Sequence, residues 1–295
     1  MEIKGTGVAL VTPFKKDGSV DVDNLRKLVK YHIINNVDFL VVQGTTGETA
    51  TLNNQEKEQV LNTVVEEVNG EIPIVLGLAD NNTAALVESI SGFNHKGIDA
   101  FLSASPHYNK PSQRGIVAHF KAIAEVAQKP IILYNVPGRT GSNMSVTTIL
   151  ELAQINNIIG VKEASGDINQ VMELLKSVPE NFVVLSGEDA LTMPIVAMGG
   201  HGVISVVANA FPAEFSTMIR SVNNGDLSLA RKHHFDLLAI TESLFKEGNP
   251  SGIKYCLQLL GLGEETVRLP LTTISDELKA KMQQEFNGID LISKK

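Results

Sequence analysis

The feature that most constrains this sequence is a repeated alternation of short apolar runs with longer amphipathic stretches. There are eight such runs, at residues 8–11, 39–42, 74–77, 100–102, 131–133, 158–161, 182–185 and 202–206. Between the second and third runs, the stretch 54–68 has apolar residues at helical spacing. Asn53 or Asn54 can cap its beginning, and Gly70 can end it. The pattern therefore predicts buried strands that alternate with helices.

Strands joined by helices pair in parallel, because each helix returns the chain to the same end of the sheet. An open doubly wound sheet and a closed barrel both satisfy this pairing. Units of about 25–30 residues suit the barrel, and no Gly-x-Gly-x-x-Gly follows the first run, as a dinucleotide-binding sheet would require. We therefore predict an α/β fold, a (β/α)8 TIM barrel spanning residues 1–225.

From residue 226 onward the pattern is only helical, at 227–245, 250–260 and 276–286. No linker precedes this segment, so we predict a C-terminal helical extension, 226–295, rather than a separately folded domain. Its first helix carries more apolar residues than a solvent-facing helix needs: Leu229, Phe235, Leu237, Leu238 and Leu244. The extension is therefore expected to pack on the barrel or on another subunit.

Composition narrows the classes of function. The formal net charge of −8 argues against nucleic acid and anionic membrane surfaces as partners. Cys256 is the single cysteine, which excludes an internal disulfide and a multi-cysteine metal site, and the seven histidines show no metal-ligand spacing. Residues 1–5 contain no apolar core of signal-peptide length, and no run is long enough to span a bilayer. A cytoplasmic protein is expected.

In such barrels the active site lies at the carboxyl ends of the strands. Polar side chains follow five of the runs, in the segments 44–48, 103–108, 134–139, 162–165 and 187–189. These segments carry hydroxyls, two tyrosines, an arginine and a lysine. The sequence therefore predicts that these groups converge on one mouth of the barrel.

Lys162 follows its apolar run directly. By type alone it would be a solvent-exposed lysine, but the two-residue period of a strand places Ile158, Gly160 and Lys162 on one face. If that face points inward, Gly160 leaves room for the lysine stem and the amine lies in the barrel mouth. Partial desolvation there favours the neutral amine. A neutral amine attacks a ketone to form an imine, which then acts as an electron sink.

Imine chemistry needs a proton relay. Tyr134 faces inward if Ile132 does, and its phenol could carry protons, although a core tyrosine is an equal alternative. Thr45 and Thr46 could hydrogen-bond a substrate, or they could be ordinary turn residues. Arg139 offers a bidentate fork for a carboxylate, or it is a solvated loop arginine. No one of these residues indicates an active site by itself. The functional interpretation depends on their occurring together with Lys162.

These residues resemble the dihydrodipicolinate synthase family, within the pyruvate-dependent aldolase superfamily that also includes N-acetylneuraminate lyase. The resemblance runs along nearly the whole chain and is carried by residues 7–14, 44–48, 134–140 and 160–164, and by Asn249-Pro250 with Lys254. Arg139 in its Pro-Gly-Arg-Thr run, together with Tyr108 in Tyr-Asn-Lys-Pro, points to the synthase branch.

The resemblance implies that pyruvate forms an imine with Lys162 and that Thr45 and Thr46 bind its carboxylate. It implies a proton relay of Thr46, Tyr134 and Tyr108, with Tyr108 reaching across a dimer interface.

The resemblance further implies that Arg139 binds the carboxylate of aspartate semialdehyde, while Gly187, Glu188 and the Ile204 carbonyl line the pocket. It implies no metal and no organic cofactor, a homotetramer built as a dimer of dimers, and a product used in lysine and diaminopimelate biosynthesis.

Many bacterial members of the family are inhibited by lysine. Lysine-sensitive relatives often carry histidines and a glutamate where this chain has Asn54, Lys57 and Ala85. His107 also replaces the usual phenol before Tyr108, while Asn81 is retained. Because Lys57 would repel a cationic effector, we predict weak or absent inhibition by lysine.

Two other readings remain open from the sequence. Another superfamily enzyme, such as a sialic acid lyase or a 2-keto-3-deoxy sugar acid aldolase, would share Lys162 and Tyr134 and differ in its second substrate. A barrel that only binds ligands belongs to a different class of function, and such a barrel has no need to keep the lysine, the tyrosines and the threonines together.

Overall fold

The computed structural model describes residues 2–93 and 96–293 and contains a closed barrel of eight parallel strands in sequential order. The strands are β1 (Gly5–Ala9), β2 (Phe39–Val42), β3 (Ile74–Gly77), β4 (Ala100–Ala104), β5 (Ile131–Asn135), β6 (Ile158–Glu163), β7 (Val183–Ser186) and β8 (Gly202–Ser205). The predicted barrel is confirmed. Met1 and residues 294–295, the outer ends of the two predicted units, lie outside the described residues.

Helices follow the strands and surround the barrel. They are α1 (Val22–Ile34), α2 (Asn54–Val68), α3 (Thr83–Ser91), α4 (Gln113–Val126), α5 (Pro137–Thr140), α6 (Val146–Leu152), α7 (Ile168–Ser177), α8 (Thr192–Ala197), α9 (Pro212–Asn223), α10 (Leu227–Leu244), α11 (Ser251–Leu260) and α12 (Asp276–Asn287). Helix α2 begins as predicted, since Asn53 and Glu56 form a reciprocal capping box. It ends at Val68, and Asn69 rather than Gly70 caps it, because Asn69 already adopts a left-handed conformation.

Several strands extend further than their apolar runs. Strands β5 and β6 continue through Asn135 and Glu163, so Tyr134 and Lys162 lie within strands rather than after them. Strand β1 begins earlier than predicted because Gly5 and Thr6, which are not part of an apolar run, pair with β8. Backbone pairing thus continues past the point where apolar side chains stop.

The barrel interior corrects one prediction about strand β6. Ile158 packs in the outer core with the helices, whereas Ile132 and Tyr134 belong to the inner core. The pairing register shifts between Ile131 and Ile132, so that Ile132 pairs with Gly160 and Ile159 occupies an extra position. Such a bulge reverses the alternation of side chains along the strand. Ile158 therefore does not share the inward face of Lys162.

The C-terminal helices pack against the barrel helices and against each other. Helix α10 contacts α8, α9 and α12. Leu237 and Leu244 are buried, whereas Leu229 and Phe235 remain exposed at 38% and 63%. The expected packing on the barrel thus covers only part of the apolar surface of α10. The division at residue 225 remains a proposal from the sequence.

None of the helices within residues 2–93 and 96–293 combines the length and apolar character that a membrane crossing needs. In the same residues no group of three or more histidine, cysteine, aspartate or glutamate side chains could hold a metal ion.

Candidate active site

Lys162 and Tyr134 lie side by side on neighbouring strands. They are register partners of β5 and β6, and the Lys162 Nζ lies 4.5 Å from the centroid of the Tyr134 ring. Their exposed fractions are 5% and 9%. The Lys162 amine makes no hydrogen bond or ion pair with any residue that the structure describes. The structure therefore brings a nearly buried amine without an ionic partner next to a phenol.

The next residues of the same strands form a polar clamp on the opposite face. Asn135 pairs with Glu163, and the Asn135 Nδ2 donates to the Glu163 Oε2 at 2.9 Å. Gln170 Nε2 donates to the same oxygen at 3.1 Å, and the backbone N–H of Ser165 donates to the Glu163 Oε1 at 2.7 Å. Because strand residues alternate between faces, this clamp fixes the strand ends behind Lys162 and Tyr134 without entering the pocket.

Gly187 makes room for the lysine stem. A Cβ at this position would lie 3.1 Å from the Lys162 Cε and 2.5 Å from the Ala164 Cβ. A Cβ at Gly160, which was expected to provide that room, would instead meet the Val183 carbonyl oxygen at 2.5 Å. A side chain at Gly160 would therefore clash with the neighbouring strand, and one at Gly187 would clash first with Ala164 and also crowd the lysine stem.

Lys162 and Tyr134 open into a cavity of about 240 Å³. The lining residues are Ala9, Val41, Gly44, Thr45, Thr46, Leu102, Tyr134, Val136, Arg139, Lys162, Ala164, Gly187, Glu188, Ile204, Val206, Phe245 and Asn249. Every predicted site residue is in this set except Tyr108. We call this cavity the lysine pocket.

Tyr108 lies away from the lysine pocket of its own chain. Its side chain is 85% exposed, and its backbone adopts φ +70, an unusual value for a residue other than glycine. Within one chain the structure does not bring this phenol to Lys162. The expectation that it reaches a neighbouring subunit stays a prediction.

The two threonines differ in environment. Thr45 is exposed at the pocket rim, whereas Thr46 is 3% exposed and its Oγ accepts a hydrogen bond from the Asn249 Nδ2 at 3.0 Å. Both lie in a 3-10 turn that follows β2. The Thr12 Oγ donates to the carbonyl of Gly47 at 2.7 Å, which ties the turn to the barrel.

Two acidic side chains shape the electrostatics beside the amine. Burial raises the pKa of Glu188, Asp189 raises it further, and Lys162 opposes both effects. Burial also raises the pKa of Asp189, although its carboxylate accepts hydrogen bonds from the Ser205 hydroxyl and from the Val206 N–H. Of the two, only Glu188 lines the lysine pocket, and its ionised carboxylate and the Lys162 amine attract each other across it.

Two lining residues come from the C-terminal helices and were not predicted as site residues. Asn249 follows α10, and Phe245 is the residue at which that helix ends. The only signal in the sequence was the position of Asn249 in the Asn-Pro motif. Helical periodicity cannot show which residue beyond a helix faces a distant pocket.

A larger cavity of about 480 Å³ adjoins the lysine pocket. Both cavities are lined by Gly44, Thr45, Leu102, Tyr134, Arg139 and Asn249. Lys57 and His107 line this adjoining pocket, whereas Asn54, Asn81 and Ala85 do not. Among the described residues that line it, Glu48 is the only acidic one.

A parallel barrel that holds such an amine beside a phenol, at the carboxyl ends of its strands, has the arrangement of a Schiff-base-forming barrel enzyme. A family model described as the dihydrodipicolinate synthetase family matches residues 2–288. This chain therefore belongs to the dihydrodipicolinate synthetase family.

Individual relatives cover nearly the whole chain. A 4-hydroxy-tetrahydrodipicolinate synthase from Phocaeicola vulgatus is 48% identical over 290 residues, which is 98% of each sequence. The chloride-inhibited dihydrodipicolinate synthase from Acinetobacter baumannii, complexed with pyruvate, has a TM-score of 0.95 at 37% identity, covering 99% of this chain and 100% of that one. A monomeric dihydrodipicolinate synthase variant has a TM-score of 0.94 at 35% identity, covering 97% and 96%.

Proposed function

We propose that this chain condenses pyruvate with L-aspartate 4-semialdehyde to give 4-hydroxy-tetrahydrodipicolinate, for lysine and diaminopimelate biosynthesis. The observation that carries the proposal is the Lys162 amine, nearly buried, without an ionic partner and 4.5 Å from the Tyr134 ring. Support also comes from the named activity of the Phocaeicola vulgatus relative and from the pyruvate complex of the Acinetobacter baumannii structure.

The first step forms the imine. The Lys162 nitrogen adds to the C2 carbonyl carbon of pyruvate, and the carbinolamine then loses water. Tyr134 is the proposed donor of the proton that turns the departing hydroxyl into water. Thr45 and Thr46, at the rim and wall of the same pocket, are the proposed donors to the pyruvate carboxylate.

The second step forms the carbon–carbon bond. A proton leaves C3 of the imine, and the resulting enamine attacks the aldehyde carbon of the semialdehyde, whose oxygen takes up a proton. The amino group of the semialdehyde then adds to the imine carbon and expels the Lys162 nitrogen, which closes the ring and frees the enzyme. Arg139 at the pocket rim is the proposed partner of the semialdehyde carboxylate.

We also propose that Tyr108 completes the relay of a neighbouring subunit, in a homotetramer built as a dimer of dimers. Its 85% exposure leaves the phenol free to contact another chain. Sedimentation measurements on wild type and Tyr108→Phe test this arrangement. We expect an unchanged assembly with a reduced rate, and a fully active monomer would contradict the proposal. A cytoplasmic location and the absence of any cofactor or metal also stay proposals.

Borohydride trapping tests the proposed function. The protein is mixed with pyruvate, reduced and digested, and the peptides are analysed by mass spectrometry. We expect a reduced pyruvate adduct on Lys162 and none in Lys162→Arg. An untrapped protein, or an adduct on another lysine, would refute the imine.

A rate comparison among acceptor aldehydes identifies the second substrate. We expect aspartate semialdehyde to react faster than N-acetylmannosamine or glyceraldehyde, because Arg139 offers a cation rather than neutral hydroxyl partners at the rim. A preference for either sugar would assign the chain to another pyruvate-dependent activity of the superfamily.

A further inference from the structure

A buried ion pair joins the C-terminal helices to the turn that carries the two threonines. The Lys254 Nζ lies 2.5 Å from the Glu48 Oε1, and both side chains are 1% exposed. Lys254 also donates to the Thr266 carbonyl at 2.9 Å, and its Nζ lies 4.0 Å from the centroid of the Phe14 ring. Glu48 directly follows the turn Thr45–Gly47. The ammonium on α11 is therefore fully partnered and anchored next to the threonines.

The second oxygen of Glu48 is also held by the C-terminal segment. It accepts a hydrogen bond from the backbone N–H of Arg268 at 3.0 Å. The Arg268 guanidinium donates to the carbonyls of Gly18 and Thr51 and to the Glu56 carboxylate. The C-terminal segment thus holds the loop after β2 at two places: at Glu48, and at Thr51 and Glu56 near the start of α2.

The backbone of Glu48 explains why this anchoring is needed. Glu48 adopts φ 52 and ψ 34, the left-handed region that residues other than glycine rarely enter. It lies between the two 3-10 turns Thr45–Gly47 and Thr49–Thr51. Such a conformation persists only where the surrounding structure fixes it. The position of the Glu48 side chain therefore sets the direction of the turn that presents Thr45 and Thr46.

Asn249, two residues before α11, reaches the same turn by a separate route. Its Nδ2 donates to the Thr46 Oγ at 3.0 Å. Its Oδ1 is buried and has no partner within the described residues. Since Asn249 and Lys254 lie five positions apart, one short segment contacts both Thr46 and Glu48.

We infer that the segment from Asn249 to Lys254 is a positioning element that holds Thr45 and Thr46 in the orientation that binds the pyruvate carboxylate beside Lys162. The inference rests on the proposed function. Lys254 and Glu48 touch no reacting atom in it and are positioning residues. Because two buried charges are costly to desolvate, well-packed apolar side chains would serve stability equally well. What the Lys254–Glu48 ion pair adds is direction: its hydrogen bonds fix the orientation of the turn that carries Thr45 and Thr46.

The test uses the full chain and separates geometry from stability. Lys254→Met leaves the Glu48 charge buried without its partner, whereas the double variant Lys254→Met/Glu48→Gln removes both charges. We expect the double variant to regain most of the unfolding temperature that the single variant loses. In both, the KM for pyruvate is expected to rise about tenfold or more, because small displacements of positioning groups have large effects. The KM for the semialdehyde should change much less.

Two further variants complete the design. Asn249→Ala removes the contact to Thr46 without touching the ion pair, and it should raise the KM for pyruvate with little change in unfolding temperature. Lys232→Met breaks the exposed pair with Asp236, whose side chains are 54% and 39% exposed, and it should change neither quantity.

A double variant with restored stability and a wild-type KM for pyruvate would overturn the inference. In that case borohydride trapping of the wild type by pyruvate would still support the proposed function. If pyruvate does not trap the wild type at all, the proposed function fails and the inference fails with it.

Discussion

Lys162 and Lys254 are two buried lysines of one chain with opposite surroundings. Their exposed fractions are 5% and 1%, and each Nζ lies above an aromatic ring, at 4.5 Å from the centroid of Tyr134 and 4.0 Å from that of Phe14. Lys254 is paired with a carboxylate and a carbonyl, whereas Lys162 has neither among the described residues and faces a cavity. Residue type and burial therefore do not separate the proposed nucleophile from a structural lysine, whereas the hydrogen-bond and ionic partners do.

The charge state of Lys254 follows from its partners. Burial lowers its pKa to about 8, while Glu48 acts in the opposite direction. The side chain therefore remains mostly protonated at neutral pH, as an ion pair requires. The protonated Lys254 nitrogen has no lone pair with which to attack a ketone. The side chain is also only 1% exposed, so a ketone substrate has no space beside it.

The largest expected effect comes from removing the reactive amine. Lys162→Arg keeps a long basic side chain but offers no nucleophile, so kcat should fall by roughly 10³-fold or more, and by up to about 10⁶-fold, as when a covalent nucleophile is removed. Thermal unfolding should change little, because Lys162 has no ionic partner to lose. Steady-state kinetics measure the loss of kcat, and calorimetry measures the unfolding temperature. An active Lys162→Arg would show that Lys162 is no more a nucleophile than Lys254 is.

Removing the neighbouring phenol should have the next largest effect on the rate. Tyr134→Phe keeps the ring beside Lys162 and deletes the hydroxyl, so kcat should fall by about 10²- to 10⁴-fold, as for the loss of a proton-transfer group. The matched control is Tyr255→Phe, on α11 and away from the lysine pocket, which should keep the wild-type rate. Equal rates for both variants would contradict the relay.

For the free energy of unfolding, the order of the two lysines is reversed: replacing Lys254 should matter more than replacing Lys162. Lys254→Met leaves Glu48 as a buried charge without its partner and should lower the free energy of unfolding by about 3–5 kcal/mol. Lys162→Met should leave that free energy unchanged or raise it, because it strands no carboxylate. Chemical denaturation of the two variants measures the difference directly. Equal destabilisation would show that burial alone sets the role of each lysine.

His32 is a third buried basic residue, and burial affects its charge state as well. Burial lowers the pKa of His32 to about 4, although the carbonyl of Asn209 lies 3.1 Å from its Nε2. The unfolded chain then binds a proton from about pH 6.5 downward while the folded chain does not, so stability falls between pH 6.5 and 4. At roughly 1.4 kcal/mol per pH unit, the loss of stability between pH 6.5 and 4 reaches about 3.5 kcal/mol. His32→Gln should flatten this part of a pH–stability profile, and an unchanged slope would contradict it.

The smallest expected effect concerns free lysine as an effector. An effector ammonium would need a carboxylate of the kind that Glu48 offers Lys254. Two of the residues from which weak inhibition is predicted, Lys57 and His107, line the adjoining pocket, and Glu48 is the only acidic residue among its described lining residues. Hydrogen bonds from Lys254 and Arg268 already occupy both oxygens of Glu48. Together with the cation of Lys57, this predicts little or no loss of rate in lysine. A clear drop at low millimolar lysine would contradict the prediction.

Much of the fold followed from local pattern. Strands β2 and β3 have the predicted bounds, and helix α2 spans the predicted stretch 54–68, although Asn69 rather than Gly70 caps its end. The outward position of Ile158 was missed, because a bulge arises from pairing with the neighbouring strand and leaves no mark in the two-residue period.

The sequence by itself determined that the chain closes as a barrel and that Lys162 and Tyr134 stand on neighbouring strands at its mouth. Periodicity predicted the eight strands, and the unit length with the missing Gly-x-Gly-x-x-Gly favoured the closed barrel over the open sheet. In a barrel with strands in sequential order, β5 and β6 are neighbours. Only the tertiary structure decided which lysine has a carboxylate partner, since Lys254 and Glu48 are 206 positions apart. Asn249 reaches Thr46 across 203 positions in the same way. The chemistry of a buried charge depends on what surrounds it in space, and that is fixed only when the C-terminal helices pack against the barrel.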